Sequence, residues 1–352
     1  TLFDTRRIRC LETHTVRMLV FALGKGHLSV HVQLAWLPAE VAMSLFQTVA
    51  WQSAWWDVWG ARHGLSLIRS WGGHRTGLYE TVSLIKGVLP VRSIEFVGSN
   101  CRKARTTRTE YNTYSGDHQS GTDGVDQLDL LMTKHPWSEA IFSDLMADSQ
   151  EVLGLRELAG RRGWLIRQTA DDLAWQVDTS GSFAEYRSQR GRNTRLRLFN
   201  RRSVLESLGA ITHVDLYDGG DSIIAFLQQI NEFHERRWGK RVYNDDALVF
   251  NAKFLQRLIA EGGLPQFLTL RCNERVISVL YNVKYQGCIY NLQSGFEENF
   301  HSKLAVGTLH LGYAIERAFG DEDVRTFDLL AGAGKNENYK ERIATAKVPL
   351  ES

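Results

Sequence analysis

Apolar residues recur at helical spacing from Ile223 to Trp238 and again from Phe250 to Ile259, ahead of Gly262-Gly263, which predicts two amphipathic helices in succession. The period then changes to two. Gln266 to Cys272, Val276 to Tyr285 and Cys288 to Ser294 alternate as strands, and the turns Asn273-Glu274 and Gln286-Gly287 join them into an antiparallel meander. A helix from Val306 to Phe319, stopped by Gly320, and a buried strand from Val324 to Leu330 complete this half of the chain.

The first half is punctuated less regularly. Leu37-Pro38-Ala39-Glu40 opens a helical stretch ending near Gly60, in which Trp51, Trp55 and Trp59 recur every four residues with Phe46 and Trp56 close by, an aromatic face suited to core packing. Ser93 to Val97 reads as a strand and Ile141 to Leu155 as a helix. Between them Asn100 to Gly124 is polar and rich in Gly, Ser and Thr, so it reads as a long surface loop or an active-site flap; it carries Tyr111, Asp117 and His118. The turn-forming run Val177-Asp178-Thr179-Ser180-Gly181-Ser182 predicts a boundary, dividing the chain into modules 1–180 and 181–352. From Phe183 to Gly209, Arg187, Arg190, Arg192, Arg195, Arg197, Arg201 and Arg202 are interleaved with leucines and Phe199. This is an amphipathic helix or helix pair whose guanidinium groups form either a solvated face or one for phosphate or another polyanion.

Composition narrows the partners. The 42 Lys+Arg against 40 Asp+Glu leave +2, a balance that argues against a dedicated nucleic-acid binder. Cys10, Cys101, Cys272 and Cys288 lie far apart without a CxxC pair, so neither a structural zinc nor a disulfide framework is expected, no metal site is assigned, and reduced thiols in the cytoplasm are the simpler expectation. The longest apolar run near the start, Met18 to Ala22, is far short of the roughly 20 residues of a membrane span. The 352 residues leave room for about two domains.

The third strand of the meander ends in a polar loop that feeds a helix N-terminus, where free N–H groups and the positive end of the helix dipole stabilise a phosphate or pyrophosphate. Lys303, Gly307 and Thr308 lie at or beside that junction, and Gly307 would let a ligand approach the backbone closely.

Phe233-His234-Glu235-Arg236-Arg237-Trp238, Gly295-Phe296, Gly307-Thr308-Leu309 and Phe327-Asp328-Leu329-Leu330-Ala331-Gly332 leading to Tyr339-Lys340 together resemble the GNAT acyltransferases. The likeness is to the CelD-type branch of cellulose and exopolysaccharide biosynthesis, related to the FemAB peptidoglycan aminoacyltransferases, and Phe46-Gln47 followed by Trp51 and Trp55-Trp56 resembles that branch's tryptophan-rich helix. The resemblance implies an α/β (α+β) fold of two tandem GNAT-like modules, each a mixed, mostly antiparallel sheet flanked by helices. It implies acetyl-CoA or another acyl-CoA as co-substrate, entering a V-shaped opening between Cys288–Ser294 and Val324–Leu330, with the pyrophosphate over Lys303 to Thr308. The sequence has Ala305-Val306 where many relatives have Ser-Pro, and an expanded Gly332 to Asn338 before Tyr339-Lys340.

Acyl transfer from a thioester needs a base for the nucleophile, donors for the oxyanion and an acid for the thiolate. His234 is either that base or a helix residue packed beside Trp238. Asp328 is a base, an orienter or a residue bonded to the following loop. Tyr339 and Lys340 either donate to thiolate or phosphate or hold the last loop. Tyr281 and Asn291 either line the acceptor cleft or belong to the core. The expected activity is an acyl-CoA-dependent N- or O-acyltransferase, with a sugar or exopolysaccharide precursor as acceptor and polysaccharide-biosynthesis proteins as possible partners. The alternatives are an aminoacyl-tRNA-dependent transferase of the FemAB kind, with the arginine-rich segment on the RNA, and a non-catalytic scaffold for polysaccharide export.

Overall fold

The computed structural model describes residues 44–352 apart from 61, 70–76, 86, 100–105, 115–123, 220–221 and 333–337. Pro38, Asp117 and His118 lie outside the described residues, as does most of the expanded Gly332 to Asn338 loop. The tryptophan-rich stretch is not one continuous α-helix. A 3-10 turn (Leu45–Gln47) precedes α1 (Val49–Trp55), which the Thr48 side chain caps through Trp51 N–H, and a π-helical turn (Trp56–Gly60) follows.

Strands β1 (Ser66–Arg69), β2 (Leu78–Ile85), β3 (Leu89–Phe96) and β4 (Glu139–Ile141) form a four-stranded sheet in that order, antiparallel except for β3 with β4. Helices α2 (Gly124–Lys134) and α3 (Gln150–Arg162) share an apolar cluster with it. The helix expected over Ile141 to Leu155 is therefore replaced by β4, the short β5 (Leu145–Met146) and the start of α3. Asp144 has a left-handed φ of 53° that breaks the run, and Ser149 caps α3 by accepting from Val152 N–H.

Next along the chain come β6 (Asp171–Asp178), α4 (Phe183–Gln189), α5 (Arg192–Arg195), a π-helical turn (Leu196–Asn200), α6 (Arg202–Glu206) and β7 (Ile211–Asp215). Helices α7 (Ser222–Trp238) and α8 (Asp245–Ala260) lead to the meander β8 (Leu264–Cys272), β9 (Arg275–Tyr285) and β10 (Cys288–Phe296). Then α9 (Val306–Phe319), β11 (Thr326–Asp328), α10 (Asn338–Ile343) and β12 (Ala346–Glu351) follow. The second sheet has eight strands in the order β5-β12-β6-β11-β10-β9-β8-β7, antiparallel except for β10 with β11. The fold is thus α/β with two mixed, mostly antiparallel sheets flanked by helices. β6, which precedes residue 180 in sequence, is hydrogen-bonded into this second sheet between β12 and β11.

Alternation along the strands separates the two faces of the larger sheet. Phe267, Val279, Tyr281, Val283 and Tyr290 share a core with α1, α7 and α8, where Trp51 meets Phe250 and Phe254 edge-on at centroid distances of 4.9 and 4.8 Å. The tryptophan stripe is core. Leu268, Leu280, Ile289 and Phe327 face the other way, onto α4, the Leu196–Asn200 turn and α9. Gly312 permits that contact: a Cβ there would lie 2.0 Å from Leu198 O.

Candidate active site

β10 and β11 run parallel only through three pairs, the last being Tyr290 with Asp328. Beyond it β11 ends, because Leu330 adopts a left-handed φ of 60° and turns the chain away. A bulge between Asn291 and Gln293 bends β10 at the same level. The two strands therefore part at Asn291. A cavity of 1020 Å³ runs from there, along Gln293 and Ser294, to the first turn of α9.

No side chain caps that turn, since Ala305 occupies the N-cap. Val306, Gly307 and Thr308 line the cavity, and their N–H groups have no intrahelical acceptor. Arg197, Arg237 and Arg342 line the same cavity. Arg237 is fixed between the rings of Trp238 (4.4 Å to the centroid) and Phe296 (4.7 Å), and pairs with Glu298 at 2.9 Å. Arg197 and Arg342 are exposed and form no ion pair among the described residues. Other arginines of the basic segment serve the fold: Arg190 donates to Ile343 O and Ala344 O, and Arg202 stacks on Tyr313 at 3.8 Å and pairs with Glu316. The segment is thus divided between structure and cavity.

Gly307 has a different reason from the one its place in the loop implies. A Cβ there would fall 2.5 Å from Phe296 Cδ1, so the glycine admits an aromatic ring of the protein itself against α9.

Ala305, Val306, Gly307, Thr308 and Tyr339 all line the cavity; Tyr339 is 44% exposed. Lys303 is exposed beside the junction and is not among the lining residues. His234, buried on α7, packs against Trp238 with the rings tilted at a centroid distance of 4.5 Å, and its Nε2 lies 2.9 Å from Ser294 O, where Nε2–H donates. Burial lowers its pKa. The strand carbonyl takes that nitrogen, so the ring anchors β10 from behind the cavity wall. Tyr281 is fully buried with its hydroxyl donating to Asn251 Oδ1, whereas Asn291 does line the cavity.

Asp328 and Lys340 belong to a second group just past the end of β11. Asp328 is buried and accepts from Tyr111 Oη–H (2.8 Å), Gln176 Nε2–H (2.8 Å) and Leu330 N–H (2.7 Å). Burial raises its pKa against the pull of those donors. Lys340 donates to Leu330 O (3.0 Å) and Ala331 O (2.8 Å), with its pKa lowered by burial. The opposite side of this turn is held by Glu110, which accepts from Ala331 N–H at 2.6 Å. Burial pushes the Glu110 carboxyl up to about 7.

Glu110 and Tyr111 were placed by sequence pattern in a solvated loop or flap. The described part of that segment is instead inside the protein: Thr109, Glu110, Tyr111, Asn112 and Tyr114 are all buried. A run of polar residues carries no periodic signal of burial, and its position is defined by long-range bonds, among them those to Asp328, Ala331, Asp144 and Glu151. Tyr111 and Tyr114, three apart within so polar a stretch, were the available sign.

Residues 192–341 match the family described as "Acetyltransferase (GNAT) domain". The matched region carries the splayed strands, most of the cavity lining and the first turn of α9, and it supports an acyltransferase of the GNAT type. No curated protein matches the sequence. Among solved structures, a conserved protein of unknown function from Bacteroides thetaiotaomicron is similar at 10% identity, covering 88% of this chain and 92% of that one, with a TM-score of 0.52. FemX is similar at 9% identity over 88% and 92% of the two chains, with a TM-score of 0.51. A tandem GNAT protein from the clavulanic acid biosynthesis pathway shows 11% identity over 81% and 80%, with a TM-score of 0.38. The first two share this chain's fold over most of its length.

Proposed function

We propose that this cavity binds acetyl-CoA or another acyl-CoA and that the acyl group passes to an amine or hydroxyl of a sugar or exopolysaccharide precursor in the cytoplasm. The observation that supports the donor is the uncapped first turn of α9, opening onto a cavity that also carries Arg197, Arg237 and Arg342. The pyrophosphate rests on the N–H groups of Val306, Gly307 and Thr308, with Lys303 and Ala305 beside it, and the thioester arm follows β10 toward Asn291. The acceptor assignment rests on the CelD-type resemblance of the sequence, with a C-terminal module from about residue 181 carrying the chemistry.

Within this reading Tyr339, on the cavity wall, donates to the departing thiolate. His234 sets the position of Ser294, and Asp328 and Lys340 fix the turn at which β11 leaves β10. A donor of the aminoacyl-tRNA type is the second reading; the exposed Arg187, Arg192 and Arg197 favour it, being placed for phosphate contacts. Melting curves with acetyl-CoA, longer acyl-CoAs and tRNA separate the two, because a ligand held only by the native state raises the midpoint. A rise with acyl-CoA supports the first reading. A rise with tRNA alone, at millimolar acyl-CoA, overturns it.

A further inference from the structure

Asn291 and Asn282 face each other in register across β10 and β9, on the sheet face that also carries Leu280 and Ile289. Asn291 Nδ2–H donates to Asn282 Oδ1 at 2.7 Å. Asn291 lines the cavity at the level where β10 and β11 part, while Asn282 is fully buried. The second amide atom of Asn282, Nδ2, has no hydrogen-bond partner among the described residues. Leu280, Leu311 and Ile343 supply apolar wall at the cavity, and Ile289 packs into the same cluster, so an amide pair interrupts an otherwise aliphatic surface. A buried amide left half-satisfied has a cost that an aliphatic pair of the same size would avoid.

We propose that Asn282 and Asn291 form the polar end-wall of the acyl subsite and restrict the donor to a short acyl group, of about the size of acetyl. This deepens the acyl-CoA reading and rests on it. The bond to Asn282 turns the Asn291 carbonyl oxygen toward the cavity, where it accepts from an N–H of the incoming amine. A long aliphatic chain laid past Asn291 would strip that oxygen of water and give nothing in return. Asn291 is the specificity-determining side chain and Asn282 its positioning residue.

The test is calorimetry on the full chain with CoA, acetyl-CoA and octanoyl-CoA. The wild type should bind acetyl-CoA at least tenfold more tightly than octanoyl-CoA. Asn282→Leu with Asn291→Leu removes both amides while keeping the number and branching of the side-chain heavy atoms, and should shrink or invert that ratio by tenfold or more, with affinity for CoA itself unchanged. Asn291→Leu alone, at the cavity wall, gives the same sign should the double variant fail to fold. Equal binding of the two thioesters by the wild type, or an unchanged ratio in the variants, overturns the proposal while leaving acyl-CoA as donor. Absence of CoA binding to the wild type removes the donor reading and this proposal with it.

Discussion

Tyr111 reaches across to Asp328, 217 positions later in the chain, and donates its hydroxyl to Oδ2 at 2.8 Å. The segment that connects β3 to α2 thereby fixes the carboxylate at the end of β11, where the strands begin to part. Tyr111 itself sits at a left-handed φ of 56°, a conformation that costs energy for a bulky residue and is held by its surroundings. Removing the hydroxyl leaves a buried carboxylate short of one donor. Tyr111→Phe should therefore lower the unfolding free energy by about 1.5–3 kcal/mol, the scale of a hydrogen bond to a charged group. Urea titration measures it, and a loss below about 0.5 kcal/mol would show that Gln176 and Leu330 N–H suffice.

Gly307→Val should cost stability as well as ligand affinity. The added carbon meets the Phe296 ring at 2.5 Å, and Phe296 is itself held under Arg237, so the ring has little room to move. Overpacking of this kind costs about 1–3 kcal/mol. A melting curve that matches wild type would mean the ring can shift.

Arg197→Ala and Arg342→Ala should each weaken acetyl-CoA binding by roughly tenfold, the order expected for one charge-assisted hydrogen bond. The loss should shrink as salt is raised, because both groups are exposed and screened within about 10 Å at 0.1 M. Calorimetry at two ionic strengths reads both effects; an affinity untouched by either substitution removes these arginines from the phosphate path.

Acid should destabilise the protein through a histidine pair that is not part of the cavity lining. His213 on β7 and His310 on α9 stand 5.1 Å apart, His310 fully buried with Nδ1 2.8 Å from Ser278 Oγ. Arg202, Arg317, Asp215 and Tyr313 face His213, and burial, aided by the two arginines, lowers its pKa from 6.5 to about 4. His310 is also lowered, by burial first. The fold favours the neutral rings, whereas the unfolded chain takes up protons near 6.5, so stability present above that pH is lost progressively as pH falls toward 4. Denaturation midpoints at pH 7.5, 6 and 5 follow this loss, and His310→Gln should flatten it. An unchanged slope in the variant would assign the pH dependence to other groups.

The meander and α9 were legible because their signals are local. Val306–Phe319 has an apolar stripe and a terminating glycine, and the turns at Asn273-Glu274 and Gln286-Gly287 place left-handed residues where the backbone needs them. The cavity end at α9 was legible for the same reason. The Asp328 group was not, since Glu110, Tyr111 and Gln176 come from segments far apart in sequence and their burial depends on partners rather than on period. Ile141 to Leu155 was misread as one helix because its apolar positions do not show that Ile141 pairs with Glu95 on β3 and that the left-handed Asp144 breaks the run ahead of α3.

The insertion of β12 between β5 and β6 governs the order in which the larger sheet can form. β6 is made at residues 171–178, yet the strand that must lie beside it is encoded at 346–351, so a length of chain containing the whole meander has to be in place before that edge can close. Until then β6 has one side unpaired and β5 has no strand partner. Such long-range pairing is slow and leaves an adhesive edge open in the meantime. Assembly of this protein is therefore most exposed to aggregation late, after the cavity at the start of α9 has its strands and helices but before the sheet beside it is complete.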